Sequence, residues 1–277
     1  MIERPSRTAM RVAMRRAAHQ LFDSPRVLDD PLALAIIGPE AASQLTAEAR
    51  TQSGTVSRSL RAFMAVRSRL AEDELARGVR RGAVQYVILG AGLDTFAYRS
   101  PYPESALRIF EVDHPATQAW KQRKLAAAGI AVPPSLTFVP VDFETETLAS
   151  GLALGRFDPR QPAFFAWLGV TMYLTNGAIA STLDLIRSTA PGGGLVFDYA
   201  VPRASLGWVE RVAFDTISAL VASAGEPFRT FFDPQDLRAR LGRTGFHSIE
   251  DFGRDELNAR YFADRADGLR LRGGLGR

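Results

Sequence analysis

The chain has no cysteine, only two lysines, only three histidines and no long apolar run. Each shortage removes a class of explanation. Without cysteine there are no disulfides and no thiolate metal sites, and the composition suits a reducing, cytoplasmic setting. The longest apolar stretch, Phe164 to Leu174, falls well short of the ~18 residues a membrane-spanning helix needs, so no membrane partner is expected. The histidines, His19, His114 and His247, are scattered, and neither a metal-ligand cluster nor a Ser-His-Asp arrangement stands out. The pI near 9.7 invites a nucleic-acid reading. Of the 34 basic residues 32 are arginine, but they are spread along the chain without a block of five, and the net charge is only +4. That is a compositional bias rather than a binding stripe, and no nucleic-acid partner is expected.

What the chain does have is 277 residues at 46% hydrophobic content, enough for one α/β domain with additions. Its organising stretch is VQYVILGAGLDTFAYR, Val84 to Arg99. The apolar run Val84–Leu89 lacks alternation, as suits a strand buried on both faces of a parallel sheet. Gly90-Ala91-Gly92 then permits a turn with φ > 0 and a close backbone approach to a ligand. Open α/β sheets bind nucleotides at such a carboxyl edge. Leu107–Val112 reads as the next strand and ends at Asp113, 23 positions after Gly90. An acid there is placed to hydrogen-bond a ribose diol. The dinucleotide fingerprint wants a third glycine three positions after Gly92, and that position is Thr95. Asp94 would also repel a pyrophosphate. A cationic, phosphate-free adenosine ligand fits better, and S-adenosylmethionine is the common one; a nicotinamide oxidoreductase is disfavoured.

In order along the chain, residues 1–20 read as an amphipathic helix, with Met10, Ala13, Met14, Ala17 and Leu21 on one face and Arg11, Arg15 and His19 opposite. A helix over Thr55–Arg77 carries the stripe Leu60, Phe63, Met64, Leu70, Ala71 and Leu75, with Arg67 in its middle. An inward arginine needs an anion, which is either a buried acid of the protein or the carboxylate of a ligand. A helix from His114-Pro115 to Ala128 follows. A third strand, Leu136–Val139, leads to Asp142 and Phe143, which either grip an adenine or cap a turn. Ala163–Leu168, Leu195–Tyr199 and Phe246–Phe252 supply further strands, and a helix begins at Thr175-Asn176. An outer antiparallel strand is expected after Gly273-Gly274. The alternation predicts a doubly wound, Rossmann-like parallel sheet over residues 81–277, with residues 1–80 as a helical cap packed as one unit with it.

VILGAGLDTFAYR, FEVDHP, VPVDF and WLGVTMYLT, in this order and spacing, resemble the leucine carboxyl methyltransferase family of S-adenosylmethionine-dependent enzymes, most closely its bacterial O-methyltransferase branch. LFDSPRVLDDPLA early and FFDPQDL and ELNARYFADRADGL late extend the resemblance over nearly the whole chain. It implies a class I methyltransferase fold in which Arg67 holds the cofactor's carboxylate and Gly90, Ala91 and Gly92 its methionine part. By the same resemblance Asp113, with His114 beside it, meets the ribose, and Asp142 with Phe143 meets the adenine. Arg16 matches a basic cofactor contact, and Tyr173 a tyrosine near the methyl-transfer centre. One position departs: Leu168 stands where eukaryotic members carry a glutamate that contacts the cofactor.

The implied reaction moves methyl from S-adenosylmethionine to a carboxylate of a small molecule or peptide, forming a methyl ester with S-adenosylhomocysteine as product; a hydroxyl or phenol acceptor is the alternative. A carboxylate acceptor, already ionised at pH 7, requires no base. A hydroxyl or phenol requires one, for which His114 is available unless it caps its helix. A non-catalytic cofactor-binding protein is the remaining rival, on account of Leu168. Specificity is expected from the cap and from Trp208–Glu226, where Trp208, Phe214 and Phe228 either line a substrate cavity or pack in the core.

Overall fold

Five short apolar segments become one parallel sheet in the computed structural model, which describes residues 6–48, 53–142, 145–223 and 225–277. The strands are β1 (Gln85–Leu89), β2 (Arg108–Asp113), β3 (Leu136–Pro140), β4 (Ala163–Trp167) and β5 (Gly194–Phe197), in the order β3-β2-β1-β4-β5. All residues of β1 and β4 are buried, which is why neither segment alternates in sequence. The order reverses between β1 and β4. A crevice forms at their carboxyl ends, because the connections leave β1 and β4 toward opposite sides.

Each face of the sheet is covered by helices. Tyr86 and Ile88 share a cluster with Phe164 and Ala166 and with Ala71 and Leu75 of the long helix α4 (Thr55–Arg80). That helix is proline-free and rich in strong helix formers. The intervening residues Val87 and Leu89 point the other way, as the period of two demands. There they meet Leu148 and Leu152 of α6 (Leu148–Leu154), Ile179 and Leu183 of α7 (Asn176–Arg187), and Leu237 of α9 (Pro234–Arg243). Residues on both sides of position 80 therefore lie in one shared core. Fully burying one such Leu is worth roughly 1.5–3 kcal/mol.

The first helix, α1 (Arg7–Phe22), starts where the Ser6 hydroxyl accepts from Ala9 N–H at 3.1 Å. It packs with α2 (Ala33–Ile37) and α3 (Pro39–Ala47) around Ala13, Ala17, Ile36 and Leu45. Its faces differ from the predicted ones. Leu21 is 41% exposed, whereas His19 is fully buried. The cause is polar: His19 Nδ1 donates to Asp23 at 2.9 Å, and Nε2 accepts from the N–H groups of Val27 and Leu28. Asp23 in turn takes Arg61 of α4 through Nε at 2.7 Å and Nη2 at 2.8 Å.

Phe246–Phe252 is not a strand. Phe246 and Ile249 pack against one core cluster and Phe252 against another, a spacing of three that no single strand face presents. An antiparallel pairing does lie beyond β5, where an outer strand was expected. Tyr199 and Arg277 exchange backbone hydrogen bonds at 3.1 Å, and Val201 N–H donates to Leu275 at 3.0 Å. The other helices are α5 (Pro115–Ala127), α8 (Trp208–Ala222) and α10 (Arg254–Tyr261). None among the described residues is long and apolar enough to cross a membrane.

Asp23 gives the fold a specific acid sensitivity. Burial alone would raise its carboxyl, but hydrogen bonds from Arg61 and His19 outweigh that and hold it down at about 2. A depressed folded-state carboxyl contributes stability above its unfolded value near 4, lost as the pH falls toward 2. Asp23→Ala, which also strands the buried Arg61, is expected to cost about 3–5 kcal/mol at pH 7. In urea unfolding the gap between the variant and the unaltered protein should narrow between pH 4 and pH 2; a gap independent of pH contradicts this role.

Candidate functional site

The crevice at the carboxyl ends of β1, β2 and β4 opens into a cavity of about 270 Å³. Three chain turns form its floor. Gly90, Ala91 and Gly92 leave β1, Asp113 and His114 end β2, and Leu168, Gly169 and Val170 leave β4. The N-terminal turns of α1 and the middle of α4 close it from above, with Arg16, Arg67 and Glu72 among the lining residues. Tyr173 and Glu226 stand at one side.

The β1 turn is drawn toward β2, since the N–H groups of Gly90 and Ala91 both donate to Val112 O, at 2.8 and 3.1 Å. Gly90 adopts φ +68°, and a Cβ there would collide with the Val170 side chain. Only glycine permits this close packing of the β1 turn against the β4 loop. The Asp113 carboxylate accepts from Gly92 N–H at 2.5 Å and His114 N–H at 2.7 Å. Burial raises this carboxyl against the pull of those two donors.

Asp94 lies on the same turn. Burial would raise it, but Arg16 at 3.2 Å and Lys121 outweigh that and the group is held low. Arg16 also pairs with Asp30 at 3.2 Å and donates to Leu93 O and Thr95 Oγ1. Its charge is therefore engaged within the protein while its side chain lines the cavity. Glu72 is similarly engaged by Arg99.

Arg67 resolves the sequence alternative in favour of a protein acid. Its Nη1 lies 2.7 Å from Asp198, the residue after β5. Asp198 also accepts from Gly169 N–H at 2.5 Å, and its carbonyl accepts from the Thr171 hydroxyl at 2.6 Å. One acid thus joins α4, the end of β5 and the loop leaving β4. Arg67 still lines the cavity, and its Nε is buried without a protein partner, so the guanidinium keeps a donor to offer. Nothing in the sequence singled out Asp198; it lies in the apolar run LVFDYA, one residue past the strand.

His114 is the N-cap of α5: its Nδ1 accepts from Ala116 N–H at 3.2 Å. That cap fixes the ring's orientation and is the capping alternative the sequence offered for His114. Asp142 stands at the same sheet edge but outside the cavity lining. Its carbonyl accepts from the N–H groups of Thr145 and Glu146, closing a turn. Phe143 lies outside the described residues. Tyr173 lines the cavity, and burial, helped by the charge of Glu226, pushes its phenol up to about 12. Leu168 lines it too and packs against the β1–β4 cluster. Trp208 is neither core nor lining, at 79% exposure, whereas Phe214 and Phe228 pack in the core, with Phe228 stacked 5.4 Å from Tyr173. Among the described residues no cluster of His, Cys, Asp or Glu is arranged to hold a metal.

Residues 9–187 match the model of the family described as leucine carboxyl methyltransferase. The chain belongs to the leucine carboxyl methyltransferase family of S-adenosylmethionine-dependent enzymes. It is 33% identical over 287 aligned positions to the candidate S-adenosyl-L-methionine-dependent methyltransferase YktD of Bacillus subtilis (strain 168), covering 95% of this chain and 93% of that one. A candidate methyltransferase of Parafrankia sp. (strain EAN1pec) is 34% identical over 199 positions, covering 70% of this chain and 63% of the relative. Among solved structures, a DUF574 family protein from Streptomyces avermitilis MA-4680 shares the fold, with a TM-score of 0.53, 16% identity and 96% of each chain covered.

The cavity fits the family's cofactor on its own chemistry. Of the four acids that line it, Glu72 and Asp94 are paired with Arg99 and Arg16, while Asp113 and Glu226 stand outside the ion pairs of the described residues; the two lining arginines are already paired within the protein. Such a balance favours a ligand carrying positive charge.

Two substitutions test this architecture. Arg67→Ala leaves Asp198 buried without its cation and is expected to destabilise the protein by about 3–5 kcal/mol in urea unfolding. Gly169→Ala forces a Cβ to within 2.9 Å of the Arg67 guanidinium at a φ of +72°, at a cost of about 1–3 kcal/mol. A loss under about 1 kcal/mol for Arg67→Ala would contradict the structural role.

Proposed function

We propose that this protein transfers a methyl group from S-adenosylmethionine to an oxygen of a small-molecule or peptide acceptor. The observation that carries the reading is the joining of Gly90, Gly92 and Asp113 in one crevice at the strand-order reversal. In this reading the Gly90–Gly92 turn lies under the methionine part of the cofactor, and Arg67 offers its remaining donor to the cofactor's carboxylate. Asp113, with its carboxylate steadied by two backbone N–H groups, takes the ribose hydroxyls. Arg16 and Asp94 shape the wall as a paired unit. Leu168 supplies an apolar wall where a carboxylate stands in eukaryotic relatives, and Asp142 and Phe143 serve the adenine end.

When bound, the sulfonium supplies an electrophilic methyl group for in-line displacement by the acceptor oxygen. The chain's own contribution is positioning and the exclusion of water. Tyr173, protonated throughout the neutral range, offers a hydrogen bond near the acceptor rather than a proton sink. A carboxylate acceptor, giving a methyl ester, asks for nothing more than that. A hydroxyl asks for a base as well, and His114 is committed to its helix.

Calorimetric titration separates this reading from its rivals. S-adenosylmethionine and S-adenosylhomocysteine are expected to bind at micromolar concentration and NAD not at all. Asp113→Asn should weaken both methionine-derived ligands by about tenfold or more (about 1.4 kcal/mol). If neither binds, the cofactor assignment fails. If both bind, but no acceptor releases S-adenosylhomocysteine, the protein is a non-catalytic binder.

A further inference from the structure

Glu226 was not singled out in the sequence, and the cofactor reading above does not use it. It follows α8 in the segment Gly225–Thr230, and its carboxylate reaches the cavity beside Tyr173. Its Oε2 is buried, with no protein hydrogen-bond partner among the described residues. Every other acid lining the cavity is engaged: Glu72 by Arg99, Asp94 by Arg16, and Asp113 by two backbone N–H groups. A buried, unmatched carboxylate oxygen is costly unless something donates to it.

The segment that carries Glu226 is held firmly to the Tyr173 turn. The N–H groups of Arg229 and Thr230 both donate to Met172 O, at 2.7 and 3.2 Å, and the Thr230 hydroxyl donates to Leu174 O at 2.6 Å. Phe228 stacks on Tyr173 and meets Phe214 and Phe231, so aromatic packing backs the same wall. The carboxylate is thus held by the fold beside Tyr173 in the cavity lining. This is a positioned group.

Resting on the O-methyltransferase reading, we propose that Glu226 is the general base of the reaction and that the acceptor is therefore a hydroxyl, such as a phenol or enol, rather than a carboxylate. The acceptor O–H donates to the Glu226 carboxylate. As the oxygen forms its bond to the methyl carbon, the carbon–sulfur bond breaks, the sulfonium becomes a neutral thioether, and the proton passes to Glu226 and then to water. An anionic carboxylate acceptor would instead meet the Glu226 carboxylate, and like charge there disfavours it.

The test pairs hydroxyl and carboxylate probes of matched shape, 2-naphthol with 2-naphthoate and 4-methylphenol with 4-methylbenzoate, in assays of S-adenosylhomocysteine release. Unaltered protein is expected to methylate the phenols and not the acids. Glu226→Gln, which keeps the shape, should lower kcat by about 100-fold or more with KM changed only a few-fold, the loss typical of a missing base. Calorimetric affinity for S-adenosylmethionine should stay within twofold in that variant. Methylation confined to the acids, no methylation of either class, an unchanged kcat, or a lost cofactor affinity in Glu226→Gln each overturns the proposal. Failure of the unaltered protein to bind S-adenosylmethionine would instead overturn the underlying methyltransferase reading.

Discussion

A guanidinium inside a protein is tolerable only against an anion, and at the crevice this fold meets that demand with the bond between Arg67 and Asp198. Arg67 comes from the middle of a 26-residue helix, and Asp198 from just past the last strand. The same carboxylate holds the Gly169 N–H and so fixes the backbone leaving β4. Three separate pieces of chain, distant in sequence, are locked at the point where the strand order reverses. The crevice takes its shape from that lock, because the β4 loop carries Val170 against Gly90 and Tyr173 to the far wall.

The electrostatics of the crevice follow from how its charges are shared. Both arginines are paired with protein acids, and Glu72 and Asp94 with arginines, which leaves Asp113 and Glu226 as the lining carboxylates outside the ion pairs of the described residues. Those two suit a donor whose reactive atom is a cation. The pairing also explains why Asp94 does not spoil the site: its charge is matched by Arg16 and it accepts the Phe96 N–H, so it serves the turn. Of the groups at the Tyr173 side, the phenol stays protonated, and Glu226 keeps a buried carboxylate oxygen without a hydrogen-bond partner among the described residues.

The parts legible in the sequence were those governed by local rules. Five short, largely apolar segments marked the strands, the first of them by its lack of alternation, and the glycine pair with an acid 23 positions on marked the β1 turn and Asp113, because turn conformation and strand ends leave marks in a short window. The inward position of Arg67 was readable from helical spacing. Its partner was not, since an aspartate after a strand looks the same whether it faces water or a buried cation. Glu226 was equally silent, sitting among turn residues with nothing to mark its direction. His19 and Leu21 exchanged expected roles because a helix wedged between α2, α3 and α4 does not have one wet face. Phe246–Phe252 read as a strand from composition, yet its apolar residues serve two clusters at a spacing of three.

The lock between Arg67 and Asp198 is measured most directly by a double-mutant cycle, with Arg67→Met, Asp198→Leu and the pair together, followed by urea unfolding. The single changes each strand a buried charge, whereas the double change removes both. The lock described here predicts that the double variant loses less than the sum of the singles by about 2 kcal/mol or more. Losses that add to within about 0.5 kcal/mol would mean that the two residues do not act on each other, and that something else holds the crevice in place.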